Sequence, residues 1–444
     1  MFKHLSKNLT NLGYLLSVVI YFILSYVRSP EIITHGRFFA EEGSVYWSYS
    51  LSNTAFNLIQ YVPVIQGYIC FNCNLQIYLS TFVPTHFAPL VTVWTSLFIA
   101  LLPSFFFLTL TEKAYKKEFR VLASITILFL PSLNLLEVFA NSINSQVYLA
   151  ISSFIILLYG LKDKKFIKSQ YIVLIISFFS TYYSLAFLPF FIIRLFREKT
   201  KSLYYALLFG AFGTVVQLNI LYYVYSTDSI YQGKLQLKGG LDYLFEIIKL
   251  SLTLNFMGEK YYRSNLGTIM FFIIIVSILF FISKNFDFIY LTIITSFFFQ
   301  VFLIYFGQAG SSYSQRYAVV PTTVIFFLFI HYIGKNNLLN KYILFFLFIG
   351  ILNFQIQGGA YFVNCDEHCV SWEMQVDRVS NEEIDKYVHW PMGEGNPYWF
   401  TDAKNPQPNP APFQKEIIGE KFKDLYNLTF YEVVKENILN LRSN

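Results

Sequence analysis

Long apolar runs separated by short polar connections dominate the chain. A hydrocarbon core of about 30 Å needs about 20 apolar residues as helix. Runs of that kind fall near residues 11–28, 87–111, 120–138, 145–161, 202–226, 266–283, 286–306, 316–334 and 341–357. Two shorter runs, 169–182 and 184–197, read as tilted spans or as a re-entrant hairpin. Counted as spans they bring the total to eleven, which puts the termini on opposite sides of the membrane. The predicted class is an all-α polytopic membrane protein, with a transmembrane domain over 1–357 and a tail over 358–444. A stretch at about 241–257 places Leu241, Leu244, Phe245, Ile248 and Leu252 on one helical face. It predicts a helix that lies on the membrane and guides a lipid tail, or an ordinary surface helix. The tail, with Pro391, Pro397, Pro406, Pro408, Pro410 and Pro412, reads as partly irregular, with an amphipathic helix near 414–440.

Composition supports the membrane reading. Only 14% of residues are charged, against roughly 25% in soluble domains. The net charge of +6 resides mainly in short connections, where it sets topology, so nucleic-acid binding is not indicated. Lys3, Lys7, Lys113, Lys116, Lys117, Arg120, Lys162, Lys164, Lys165, Lys168, Arg194, Arg197, Lys199, Lys201, Lys284, Lys335 and Lys341 mark one side. That side is predicted to be cytoplasmic and to hold the N-terminus. The first loop (29–86), the 227–265 and 307–315 loops and the tail then lie outside. The first apolar run lacks a small-residue cleavage site and reads as an uncleaved span. All four cysteines fall on the outer side, as disulfides require an oxidising compartment. Three pairings exist; the local ones, Cys70–Cys73 and Cys365–Cys369, are favoured over a zinc site built from the four with His368. Asn427-Leu428-Thr429 matches a glycosylation acceptor, which matters only in a eukaryotic secretory route.

Three outward polar clusters carry the candidate chemistry. The first is Arg37-Phe38-Phe39-Ala40-Glu41-Glu42-Gly43, followed by Tyr46, Trp47 and Tyr49. Adjacent carboxylates on a helix point about 100° apart, so Glu41 and Glu42 need not share a role. One suits a general base, the other a cation or a substrate hydroxyl; the plainer reading is a membrane boundary marker. The second runs from Glu137 through Asn141 and Asn144 to Gln146, whose amides suit sugar hydroxyls or a pyrophosphate, and equally suit turn and cap roles. The third contains Gln315, Arg316 and Tyr317, with Pro321 beyond. There a guanidinium at a helix start suits a lipid phosphate, or simply snorkels to water. Lys260 and Arg263 are further phosphate candidates, and Tyr182-Tyr183-Ser184 faces the same side. His35 and His86 read as structural. The spans are nearly free of ionisable groups, with polarity confined to one face, which argues against a translocation path. Walker, dinucleotide, His-Glu-x-x-His and Gly-x-Ser-x-Gly motifs are absent, so a lipid-linked donor fits better than a nucleotide-linked one. No cofactor is required by this pattern; a divalent cation is compatible with the acidic pair.

The chain resembles the C-type glycosyltransferases, polytopic enzymes with a catalytic acid in the first external loop. Glu41 and Glu42 stand where that acid belongs, and Arg316-Tyr317 with Pro321 looks like the Arg-Tyr-and-proline segment opening a late span in bacterial members. The Glu137–Gln146 segment looks like an Asn-rich outer loop of bacterial membrane proteins that share the Phe-Ala-Glu-Glu-Gly segment. The resemblance covers roughly 1–357 and departs in using two Glu where the usual acidic pair includes Asp. It implies an enzyme of the bacterial inner membrane, active on its periplasmic face. Such an enzyme moves a sugar from a polyprenyl-phosphate donor to an envelope glycan, lipid or protein. It also implies a base role for Glu41 or Glu42 and a phosphate role for Arg316. The rival expectations are a polysaccharide flippase, polymerase or other transporter, and a non-enzymatic envelope assembly protein.

Overall fold

A computed structural model describes residues 2–63, 67–130, 133, 137–162, 166–227, 240–257, 264–284, 287–307, 315–336, 371–389, 400–408 and 427–443. The principal helices are α1 (Phe2–Arg28), α2 (Phe71–Ser80), α3 (Ala88–Ala100), α4 (Leu102–Leu110), α5 (Lys117–Leu128), α6 (Ser142–Tyr159), α7 (Ile167–Phe178) and α8 (Leu188–Glu198). They continue with α9 (Lys201–Thr227), α10 (Gly240–Met257), α11 (Asn265–Lys284), α12 (Phe288–Gly307), α13 (Val319–Lys335), α14 (Trp372–Ser380) and α15 (Phe430–Ser443). Two antiparallel ladders complete the described elements: β1 (Tyr61–Val62) with β4 (Leu428–Thr429), and β2 (Lys386–Val388) with β3 (Phe400–Asp402).

Among the described residues, five helical segments are long and apolar enough to cross a membrane: Thr85–Leu110, Ser142–Tyr159, Lys201–Val224, Phe288–Tyr305 and Arg316–Lys335. The pair read as two spans or a hairpin forms a helix over Ile167–Phe178 and a helical segment over Tyr182–Glu198, bent by 116°. The run at 120–138 is corrected: α5 ends at Leu128, well short of a crossing. Pro131 lies just beyond, and the residue before a proline disfavours helix. The span expected at 341–357 lies outside the described residues.

At the centre stands α6, buried from Ser142 to Leu158 and packed against α3, α4, α7 and α13. Both its ends are closed by charge of the sign its dipole favours. At the N-terminus a Glu42 carboxylate oxygen accepts the Ser142 N–H at 2.9 Å. At the C-terminus the buried Arg194 guanidinium donates to the carbonyls of Ile156 (3.1 Å), Leu157 and Gly160 (2.6 Å). Glu198 holds that guanidinium in place at 3.1 Å.

The expected surface helix over 241–257 forms as α10, but its setting is corrected. Its second half is buried on all sides, from Lys249 to Asn255, where it packs with α12 and α13. The Asn255 amide donates to the Thr322 carbonyl at 3.0 Å. Nor is polarity confined to one face. At the far end of α6 the Tyr115 hydroxyl pairs with Tyr159 (2.8 Å) and with His331 Nδ1 (2.6 Å). His331 Nε2 and Lys335 meet Asp287 at 3.3 and 2.8 Å. These groups satisfy one another, which is why the apolar bundle tolerates them.

The described tail folds back onto the first loop. Trp372 is buried among Phe38, Trp47 and Tyr387, and its indole N–H donates to the Thr85 carbonyl at 2.8 Å. Its last helix begins at Phe430 rather than near 414; residues 409–426 lie outside the described part. A strand just before it fixes the start, together with a Thr429–Glu432 capping box whose carboxylate accepts the Thr429 N–H at 2.6 Å.

Candidate functional site

Two turns of like sequence build the site. Phe39-Ala40 and Phe139-Ala140 both place the alanine in the left-handed region, at φ 44° and 52°. Such backbone is held only where surroundings over-determine it. One carboxylate does this for both turns. Glu42 accepts the Phe39 N–H on one oxygen and the Ser142 N–H on the other, each at 2.9 Å. The flanking glycines are equally constrained. A Cβ at Gly36 (φ 69°) would lie 2.7 Å from the Leu90 amide nitrogen, and one at Gly43 would meet the His389 ring at 2.3 Å.

The two adjacent glutamates therefore separate. Glu42 is 0% exposed, and burial raises its carboxyl above the ordinary value. Both of its oxygens are engaged by backbone N–H groups, so in this arrangement it ties the two turns together. Glu41 is half-buried and within electrostatic reach of Arg316 and of Tyr68.

Arg316 comes from the turn Gln315–Ala318 that opens α13. Its guanidinium donates to the Tyr317 hydroxyl at 3.1 Å and sits 5.0 Å from that ring's centre. Glu137 stands 3.8 Å away, too far for a hydrogen bond, so the pair is electrostatic only. Glu137 is aimed by its neighbours: the Asn141 and Asn144 amides both donate to its backbone carbonyl, while Asn141 also caps α6 by accepting the Asn144 N–H at 2.9 Å. Asn141 thus takes the cap role, and Asn144 braces the turn at Glu137. Gln146 donates to the Tyr68 hydroxyl at 3.3 Å. Burial pushes that phenol up to about 12, so it is protonated and able to donate at neutral pH. The Tyr182 ring meets Tyr68 edge-on at 5.8 Å.

Gln146 thus bonds Tyr68, with Glu41, Arg316 and Tyr317 in its electrostatic reach and Glu137 joined to them through Arg316. Tyr68 went unflagged by sequence reasoning; its nearest signal is the Cys70–Cys73 disulfide, formed as expected just after it. Arg37 sits elsewhere, buried beside His389 under the tail, with burial lowering it to about 10. Only the backbone of Gln315 is described, and Lys260, Arg263, Cys365 and Cys369 lie outside the described residues. Among the described residues, no group of three or more His, Cys, Asp or Glu side chains is placed to hold a metal. Compared with protein-family models, curated proteins and solved structures, the chain finds no match in any of the three.

Proposed function

We propose that the chain is an inverting membrane glycosyltransferase using a polyprenyl-phosphate-linked sugar, with several spans, a cytoplasmic N-terminus and its site on the periplasmic face of a bacterial inner membrane. The acceptor belongs to the cell envelope: a glycan, lipid or protein. The observation that carries this reading is that folding brings Glu41 within electrostatic reach of Arg316, from segments far apart in the sequence. A carboxylate beside a guanidinium supplies what the reaction needs. The acceptor hydroxyl gives its proton to Glu41 as its oxygen bonds to the anomeric carbon. The bond from that carbon to the phosphate oxygen breaks, and the electron pair leaves on the lipid phosphate, which Arg316 stabilises in bidentate geometry. Tyr68 and Gln146 stand ready to orient hydroxyls.

The test is turnover of a panel of polyprenyl-phosphoryl hexoses by the protein in membranes. Glu41→Gln should lower kcat by about 10²–10⁴-fold, the usual worth of a general base. Arg316→Lys, which keeps charge but loses the planar fork, should chiefly raise KM for the lipid donor. Full activity in Glu41→Gln overturns the assignment. One observation favours transport as a second reading, since Lys249 is buried inside the bundle. In that case Lys249→Leu abolishes activity and Glu41→Gln does not.

A further inference from the structure

We propose that α15 is an interfacial membrane anchor, seated on the flank of α9 at leaflet depth, with the bilayer as the partner of its exposed apolar face. The argument rests on α9 as a membrane helix and not on glycosyl transfer. One sector of α15 docks: Val433 lies in one buried cluster with Val62, Ile69, Val216, Ile220 and Val224, and the buried Asn437 amide donates to the Asn219 carbonyl at 2.8 Å. All four α9 positions belong to the apolar segment Lys201–Val224. At 1.5 Å per residue, the bond to Asn219 lies roughly 8 Å below the end of that segment. The helix therefore lies beside the span rather than above it.

At 100° per residue the remaining sectors separate by chemistry. Glu432 and Glu436 share one exposed side. Val434, Ile438 and Tyr431 share the other, with Tyr431 69% and Ile438 46% exposed. Lys435 and Leu439 (48% exposed) lie between Tyr431 and the acidic sector, where a lysine stem follows apolar surface and its ammonium reaches the headgroups. The apolar side continues the surface of α9 itself, where Val215, Leu218 and Tyr222 are exposed. A water-facing helix has no reason to extend a lipid-facing surface; an interfacial helix does so by construction. The anchor also bears on the site. Gln217, in the same turns of α9, clamps the Ile69 backbone by accepting its N–H at 3.2 Å and donating to its carbonyl at 3.0 Å. Ile69 adjoins Tyr68, so α15 sets the height of the site against the leaflet.

The experiment uses the full chain in nanodiscs of phosphatidylcholine with plain or brominated acyl chains. Ile438→Trp and Glu436→Trp are compared, and the native emission is subtracted. The added emission at 438 should be lost in brominated lipid and survive aqueous iodide, whereas that at 436 should behave in the opposite way. Quenching at 438 by iodide overturns the proposal. So does protection at 438 from both quenchers, which would mean that protein, such as a second copy of the chain, covers this face. Neither result depends on whether the chain transfers a sugar.

Discussion

Neighbouring residues with the same side chain take unlike parts here, and the backbone decides which. Ala40 turns left-handed, so Glu41 faces the Arg316 cluster while Glu42 turns inward to two backbone N–H groups. The burial of Glu42 has a measurable signature. Its folded carboxyl sits above the ordinary value of 4.5, so the folded state holds the proton more tightly than the unfolded state. Its contribution to stability is then greatest below 4.5 and declines as pH rises through the folded value. In denaturant titrations followed by tryptophan fluorescence, the stability advantage of the natural protein over Glu42→Gln should shrink from pH 4.5 upward. An advantage that grows with pH would mean the carboxylate is favoured inside. Glu42→Leu, which leaves both N–H groups without an acceptor, should lose about 1–3 kcal/mol per group at every pH.

Among the elements, α6 shows how far sequence reading reaches. Its apolar run is plain, and the Asn141 cap is a legible signal. Its closing groups are not, because Glu42 and Arg194 come from distant segments. Arg194 reads as a charge that marks the cytoplasmic side, yet folding buries it on three carbonyls of α6. Likewise α10 shows a helical pattern, but the pattern cannot say that neighbours cover its polar residues too, from Lys249 through Ser251 and Thr253 to Asn255. Faces are decided by packing, whereas periodicity reports only that a helix forms. The site follows the same division: the loop of Glu41 and the start of α13 were legible, and Tyr68, which joins them, was not. For Arg194 the expected outcome is specific. Arg194→Met removes a donor from three carbonyls and from Glu198, which keeps Lys162 at 2.9 Å, and should lower stability on the order of 3 kcal/mol, read as an earlier melt in detergent. Arg194→Lys, one flexible ammonium in place of a planar fork, should recover only part of that loss.

On the scale of the whole molecule, the tail is held to the first loop by a buried histidine and by two exposed pairs. His389 is buried against Phe38, Trp47 and Trp372, and its Nε2 meets Thr401 Oγ1 at 2.8 Å. Burial, with Arg37 nearby, lowers its value from 6.5 to about 3. Undocked it takes a proton below 6.5; docked it refuses one, so docking is strongest above 6.5 and weakens as pH falls. At about 1.4 kcal/mol per pH unit, the loss by pH 5 is about 2 kcal/mol. Two further pairs join the same parts, His35 with Glu373 at 3.3 Å and His86 with Asp377 at 2.9 Å. Both pairs are solvent-exposed, and such pairs are worth about 0–1 kcal/mol each. The buried histidine should therefore prevail. Hydrogen-exchange protection of 372–389 and 400–402 should fall between pH 7 and pH 5 in the natural protein, after correction for intrinsic exchange. In His389→Phe, which keeps an aromatic ring among those neighbours and cannot titrate, the same segments should stay protected at both pH values. If they open equally in the variant, the acid response belongs to other groups, with Arg37 and the two exposed pairs next to be varied.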